Sequence, residues 1–140
     1  MTSQSREETE AVGARIAAGL SAGDLVLVGG EVGTGKTTLI RGACRALGVE
    51  EPVVSPTFTI GRRYAGRLPV SHLDLYRLAD LEAEEPALLE DYLDPGGVAF
   101  VEWPAVAGSR LAGRAALEVG LAHDGGDRRS IDLIGAASRF

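Results

Sequence analysis

The run Gly30-Glu31-Val32-Gly33-Thr34-Gly35-Lys36-Thr37 has the G-x-x-x-x-G-K-[ST] spacing of a loop that cradles phosphate groups. Glycines let successive backbone N–H groups converge on phosphate oxygens, and a helix that starts at the end of the loop adds its positive dipole. Lys36 is then placed to reach β- and γ-phosphates, and the Thr37 hydroxyl to hold Mg²⁺. Composition supports the same position. Lys36 is the one lysine among 14 basic residues, all the others being arginine. A position that keeps lysine in such a chain is one where a planar guanidinium fork cannot replace a compact ammonium.

A phosphate loop binds nucleotide; hydrolysis also needs acids that hold the metal and orient water. Two acids stand where strands are expected to end. In His72-Leu73-Asp74-Leu75-Tyr76-Arg77 the alternation puts His72, Asp74 and Tyr76 on one face and sends Leu73 and Leu75 into the core. Alone, that is an ordinary polar strand face; beside a phosphate loop, Asp74 becomes a candidate for chemistry. Glu102 follows the apolar run Val98-Ala99-Phe100-Val101, the pattern of a buried strand that carries a metal-handling acid, and Pro104 closes that strand. Ser55-Pro56-Thr57-Phe58-Thr59 is a stiffened turn in which Thr57 either senses a γ-phosphate or simply shapes the chain. Trp103 reads as core or interface. Cys44, on the apolar side of the helix after the loop, reads as a buried thiol rather than a nucleophile. His123 carries no readable signal.

The elements that must position these residues follow from periodicity. Val12, Ile16 and Leu20 predict a helix over 6–20, and Leu25–Val28 a strand buried on both faces. A second helix is expected over 37–47, with Leu39, Ile40, Ala43, Cys44 and Leu47 inward and Gly48 as its stop. Strands are expected over 58–64 and 68–76, joined across Ala65-Gly66-Arg67, then a helix over 81–93 and a strand over 98–101. Segments 116–122 and 130–134 alternate around Asp124-Gly-Gly-Asp127, the mark of a hairpin. Strands alternating with helices, with hairpins added, predict an α/β fold: a P-loop NTPase-like mixed β-sheet with helices on both faces, in one domain over 1–140.

Composition excludes several classes. One cysteine rules out a disulfide framework or a cysteine-based zinc cluster. No apolar run is long enough for a membrane span, and the polar start lacks a signal-peptide core, so a cytoplasmic location is expected. The formal net charge of −6 argues against a chain that grips nucleic acid on its own, since phosphate neutralisation dominates such binding. Acids crowd between Asp74 and Asp94, eight against the single Arg77; the run is either a solvated face or a docking surface for a basic partner.

Taken in order, Thr9-x-x-x-Gly13, Gly30–Gly42, Ser55-Pro-Thr-Phe-Thr59, His72-Leu-Asp-Leu-Tyr-Arg77 and Val101-Glu-Trp-Pro104 resemble the TsaE family, ATPases of bacterial tRNA threonylcarbamoyladenosine biosynthesis. The phosphate loop is shared with many families; the Ser-Pro-Thr, His-x-Asp-x-Tyr-Arg and Glu-Trp set is far more specific. The resemblance covers about residues 6–104, and the closing hairpin matches only in style. It implies an enzyme that hydrolyses ATP while docked on two partner proteins of TsaB and TsaD type, one of which modifies adenosine 37 of tRNA. It implies that Gly33, Thr34, Gly35, Lys36, Thr37 and Thr38 bind ATP, that Thr37 and Glu102 lie at Mg²⁺, and that Asp74 supports the metal or the attacking water. The sequence departs from the family pattern at three places: Glu31 stands where Asp is usual, Ala105 follows Pro104 where an acid is common, and the helix expected near Leu88 lacks the usual Gly. Two other readings use the same loop: a small-molecule kinase, and a nucleotide-binding regulatory module with little hydrolysis. The residues that recognise the base stay open between the segment around Thr9 and the C-terminal hairpin.

Overall fold

Two apolar runs set the centre of the sheet. Leu25–Gly30 (β2) and Val98–Trp103 (β5) lie side by side and parallel, with Val26 opposite Phe100 and Val28 opposite Glu102. The computed structural model describes residues 1–31, 33–54, 61–74, 93–103, 115–135 and 140, Trp103 by its backbone alone. The turn at 55–59, Tyr76, Arg77, nearly all of the helix expected over 81–93, the acids from Asp80 to Asp91, Pro104 and Ala105 lie outside those residues.

In chain order the other elements are β1 (Thr2–Ser3), α1 (Arg6–Ala18), α2 (Lys36–Ala46), β3 (Gly61–Ala65), β4 (Pro69–Asp74), β6 (Leu117–His123) and β7 (Arg129–Gly135). The sheet runs β1-β7-β6-β2-β5-β4-β3. Its middle strands β6, β2, β5 and β4 are parallel. The expected hairpins, β3/β4 and β6/β7, flank them antiparallel. In this order β2 has β5 on one side and β6 on the other, a switch in direction of the kind that opens a crevice at the carboxyl ends of parallel strands.

Pairing register decides which side chains share a face. Val26, Val28, Val70, Phe100, Leu117, Val119 and Ile131 pack with Ile16, Leu39, Ile40 and Cys44 of the helices in one core. Leu25, Leu27, Leu73, Ala99 and Val101 alternate to the other face and are equally buried, so the sheet is covered on both sides. This corrects the reading of β4. His72 was expected on a polar face, yet it is as fully buried as Leu73, because the face it shares with Val70 is the one that α2 covers. β1 was not foreseen, since two residues carry no period; it pairs with β7, and the Met1 ammonium donates to Ile131 O at 2.9 Å.

The helices touch backbone to backbone. A Cβ at Gly13 of α1 would stand 2.0 Å from Leu39 O, and one at Gly42 of α2 would stand 2.1 Å from Glu10 O. No side chain larger than hydrogen fits at either place. At the start of α1, Ser5 accepts from Glu8 N at 3.1 Å as its N-cap, and the buried Ser3 and Thr9 hydroxyls bond each other at 2.7 Å. Cys44 is fully buried on α2, as its position on the helix face predicts.

Gly13→Ala and Gly42→Ala should each destabilise the chain by about 1–3 kcal/mol, the range for forcing atoms into a packed core. Gly120→Ala in β6, where a Cβ meets nothing within 4 Å, should be neutral or stabilise by up to about 1 kcal/mol. Chemical denaturation of the three variants is the measurement. Cys44 gives a second expectation: burial pushes its thiol up to about 12, so the thiolate is absent from native protein at ordinary pH. Thiol reagents at mildly alkaline pH should leave it unlabelled until denaturant is added, and prompt labelling of native protein would contradict the packing.

Candidate functional site

β2 delivers the chain into the glycine-rich loop at the carboxyl end of the sheet. At Gly30, with φ 148°, a Cβ would meet Leu121 O at 2.5 Å, so only glycine lets the loop turn against β6. Gly35 takes the left-handed conformation, φ 99°, to start α2. No side chain caps that end of the helix, which leaves its first N–H groups to face a ligand. The Lys36 ammonium lies back on the loop, donating to Gly30 O and, at 3.3 Å, to Glu31 O. Thr34 turns inward: its hydroxyl donates to Glu31 O at 2.7 Å and it is almost wholly buried, so it shapes the loop through its own bonds.

The acids meet the loop from the sheet. Thr37 Oγ1 donates to both carboxylate oxygens of Glu102, at 3.1 and 3.2 Å. Glu102 lies within β5 rather than just past its end, and it is only 3% exposed. Its Oε2 also bonds His72 Nε2. Asp74 stands opposite Glu102 in the parallel ladder and therefore on the same face, half-buried. The sequence-expected residues Lys36, Thr37, Asp74 and Glu102 thus converge at one end of three strands and a helix. Of these, Thr37, Asp74 and Glu102 offer hard oxygen donors, the kind Mg²⁺ takes. Among the described residues no three His, Cys, Asp or Glu side chains form a self-sufficient metal cluster.

A cavity of about 230 Å³ opens beside the loop, lined by Ser5, Arg6 and Thr9 of α1's first turn, by Gly33–Gly35 and Thr38, and by Asp127 and Arg129 of the β6/β7 hairpin. The two segments left open for base recognition therefore meet in one place. Arg129 ties the hairpin to the loop, donating to Gly33 O at 3.2 Å, and His123 lies close to Gly33. Sequence reasoning missed Ser5, Arg6, Asp127, Arg129 and the role of His72. The first four come together only through the β1/β7 pairing, which leaves no local pattern. The His72 signal was present: a histidine two residues before an acid on one strand face reaches the neighbouring strand.

Comparisons with known proteins point to one family. The family model described as "Threonylcarbamoyl adenosine biosynthesis protein TsaE" matches residues 3–131. A tRNA threonylcarbamoyladenosine biosynthesis protein TsaE from Bacillus subtilis (strain 168) is 36% identical over 135 residues, 96% of this chain and 84% of that protein. Its namesake from Synechocystis sp. is 44% identical over 101 residues, 69% of this chain and 64% of the relative. Among solved structures, that of the Bacillus YdiB protein superposes with a TM-score of 0.75 at 28% identity, covering 99% of this chain and 86% of that one.

Proposed function

The chain belongs to the TsaE family of tRNA threonylcarbamoyladenosine biosynthesis proteins, and on that premise we propose that it is a Mg²⁺-dependent ATPase that works docked on partner proteins of TsaB and TsaD type. The observation that carries the reading is the contact between the Thr37 hydroxyl and the Glu102 carboxylate at the head of the phosphate loop. It joins a metal-holding hydroxyl to a buried acid in the arrangement that nucleotide hydrolysis requires. The acidic net charge of −6 supports an indirect relation to tRNA, with the partners holding the RNA.

In this reading the loop N–H groups and the first turn of α2 take the phosphates, Gly33 to Thr38 forming the cradle, and the nucleoside enters the adjacent cavity. Lys36 leaves the carbonyls of Gly30 and Glu31 for the γ-phosphate oxygens, a short move for a flexible ammonium. Mg²⁺, when bound through Thr37 and Glu102, supplies positive charge to the phosphates. Asp74, beside Glu102, would support the metal or the attacking water. Water oxygen bonds to the γ-phosphorus, the bond to the bridging oxygen breaks, and ADP and inorganic phosphate leave with a released proton. A kinase would need an acceptor site here. A further cavity, of about 300 Å³ and lined in part by Gly23, Asp24, Leu25 and Asp94, lies at the opposite ends of β2 and β5.

Phosphate release from ATP, measured with and without the partner proteins, tests the reading: release that depends on the partners supports it, and none under either condition overturns it. Lys36→Ala should abolish ATP turnover in a folded protein, and Lys36→Arg should fail as well, because the larger fork does not fit a site shaped for a point charge. Normal turnover by the arginine variant would contradict that. Glu102→Gln and Asp74→Asn keep side-chain shape while removing charge, so each should lower the rate by roughly 10²-fold or more. ATP binding should weaken far less, and unchanged rates in both would make these acids structural.

A further inference from the structure

We propose that His72 is a positioning residue of this site, holding the Glu102 carboxylate through Nε2 in the orientation from which Glu102 and Thr37 present oxygens to the metal; the proposal rests on the Mg²⁺–nucleotide reading above. His72 stands opposite Phe100 in the ladder, so Glu102, two residues further along β5, is its diagonal neighbour on the same face. The ring spans that diagonal and bonds Glu102 Oε2, in a setting where His72 is fully buried and Glu102 nearly so. Glu102 already accepts from Thr37, and an ionised carboxylate has no proton to give. With Glu102 ionised, as the proposed metal role requires, the proton in the His72–Glu102 bond belongs to Nε2.

The other ring nitrogen gives the second observation. His72 Nδ1 is buried and finds no hydrogen-bond partner among the described residues. Packing alone would not choose this residue. β4 presents Val70 on the same face, the neighbour across the ladder is Phe100, and an aliphatic side chain there would bring no polar atom of its own into the core. A histidine that leaves one nitrogen unsatisfied while the other grips a functional carboxylate is placed for that grip. Carboxylates that serve metals are commonly held by such outer partners, which fix their orientation.

Calorimetric titration with ADP, in excess Mg²⁺ and separately in EDTA, tests this without turnover. Three variants differ in reach: His72→Gln carries an amide N–H about as far as Nε2, His72→Asn stops short, and His72→Leu has no donor. His72→Asn and His72→Leu should lose about tenfold of the Mg²⁺-dependent gain in ADP affinity, with affinity in EDTA changed by no more than about twofold, and His72→Gln should keep most of the gain. The two amide variants settle the question if the leucine variant does not fold. Equal loss in Mg²⁺ and in EDTA, or His72→Asn behaving as wild type, overturns the proposal. Wild-type protein that binds ADP equally with and without Mg²⁺ overturns the metal reading itself, and this inference with it. The chain has two histidines, so ring ¹⁵N spectra of the free protein are readily assigned with a His123→Gln control. They should show His72 protonated at Nε2, and an unprotonated Nε2 contradicts the bond direction.

Discussion

The contact of two helix backbones, α1 against α2 at Gly13 and Gly42, is the constraint from which the rest of the site follows. Because α1 approaches until Leu39 O faces Gly13 and Glu10 O faces Gly42, its first turn arrives beside the start of α2. The methyl of Thr9 then lies 3.7 Å from where a Cβ of Gly35 would stand. Ser3, the last residue of β1, bonds Thr9 in the interior, which draws β1 toward β7. The hairpin that begins β7 thereby brings Asp127 and Arg129 to the same cavity as Ser5 and Arg6. A larger residue at either glycine would push these groups apart while leaving the loop sequence untouched. The glycines outside the phosphate loop matter to the site as much as those within it.

A second constraint is electrostatic. Glu102 sits within a central strand, with Val28 on one side and Asp74 on the other, and is nearly excluded from water. An ionised carboxylate in such a place has to be hydrogen-bonded, because losing its hydration unpaired costs far more than any packing gain. Two donors meet the need, the Thr37 hydroxyl from α2 and the His72 ring from β4. The loop helix and the third strand are thus joined through one side chain. Movement of α2 changes a bond that β4 also feels, a direct physical link between the phosphate loop and the acidic end of β4.

Much of this was legible in the sequence because it depends on local order. Continuous apolar runs marked β2 and β5 as doubly buried, and Leu39, Ile40, Ala43, Cys44 and Leu47 gave the buried face of α2. The loop spacing located Lys36 and Thr37, and an acid after an apolar run located Glu102. What escaped was set by distant pairing. β1 is two residues long, and its place is known only from β7, more than a hundred residues later. His72 was assigned to a polar face because alternation tells which residues share a face but not what covers it; here α2 covers it. Arg129 and Asp127 lie in a hairpin whose local pattern says turn and nothing more. Gly13 and Gly42 could be quoted as parts of a family pattern, while the reason for them needs the crossing of two helices.

The charge balance completes the argument. The chain carries a formal −6, so its overall field repels a polyphosphate, and attraction has to be generated within a few ångströms of the loop. The structure concentrates donors there: uncapped N–H groups at the start of α2, the Lys36 ammonium, and Arg6 and Arg129 on the cavity wall. Arg129 is already committed to Gly33, Gly126 and Arg128 carbonyls, which fixes its guanidinium beside the loop before any ligand arrives. Lys36, by contrast, rests on two loop carbonyls through a single ammonium that can exchange them for other oxygens without reshaping the loop. The two kinds of cation are used according to their geometry: the planar fork where a fixed scaffold is needed, the point charge where the contact must change. In a chain that uses arginine everywhere else, the proposed ATPase reading makes that exchangeable contact the reason for its one lysine.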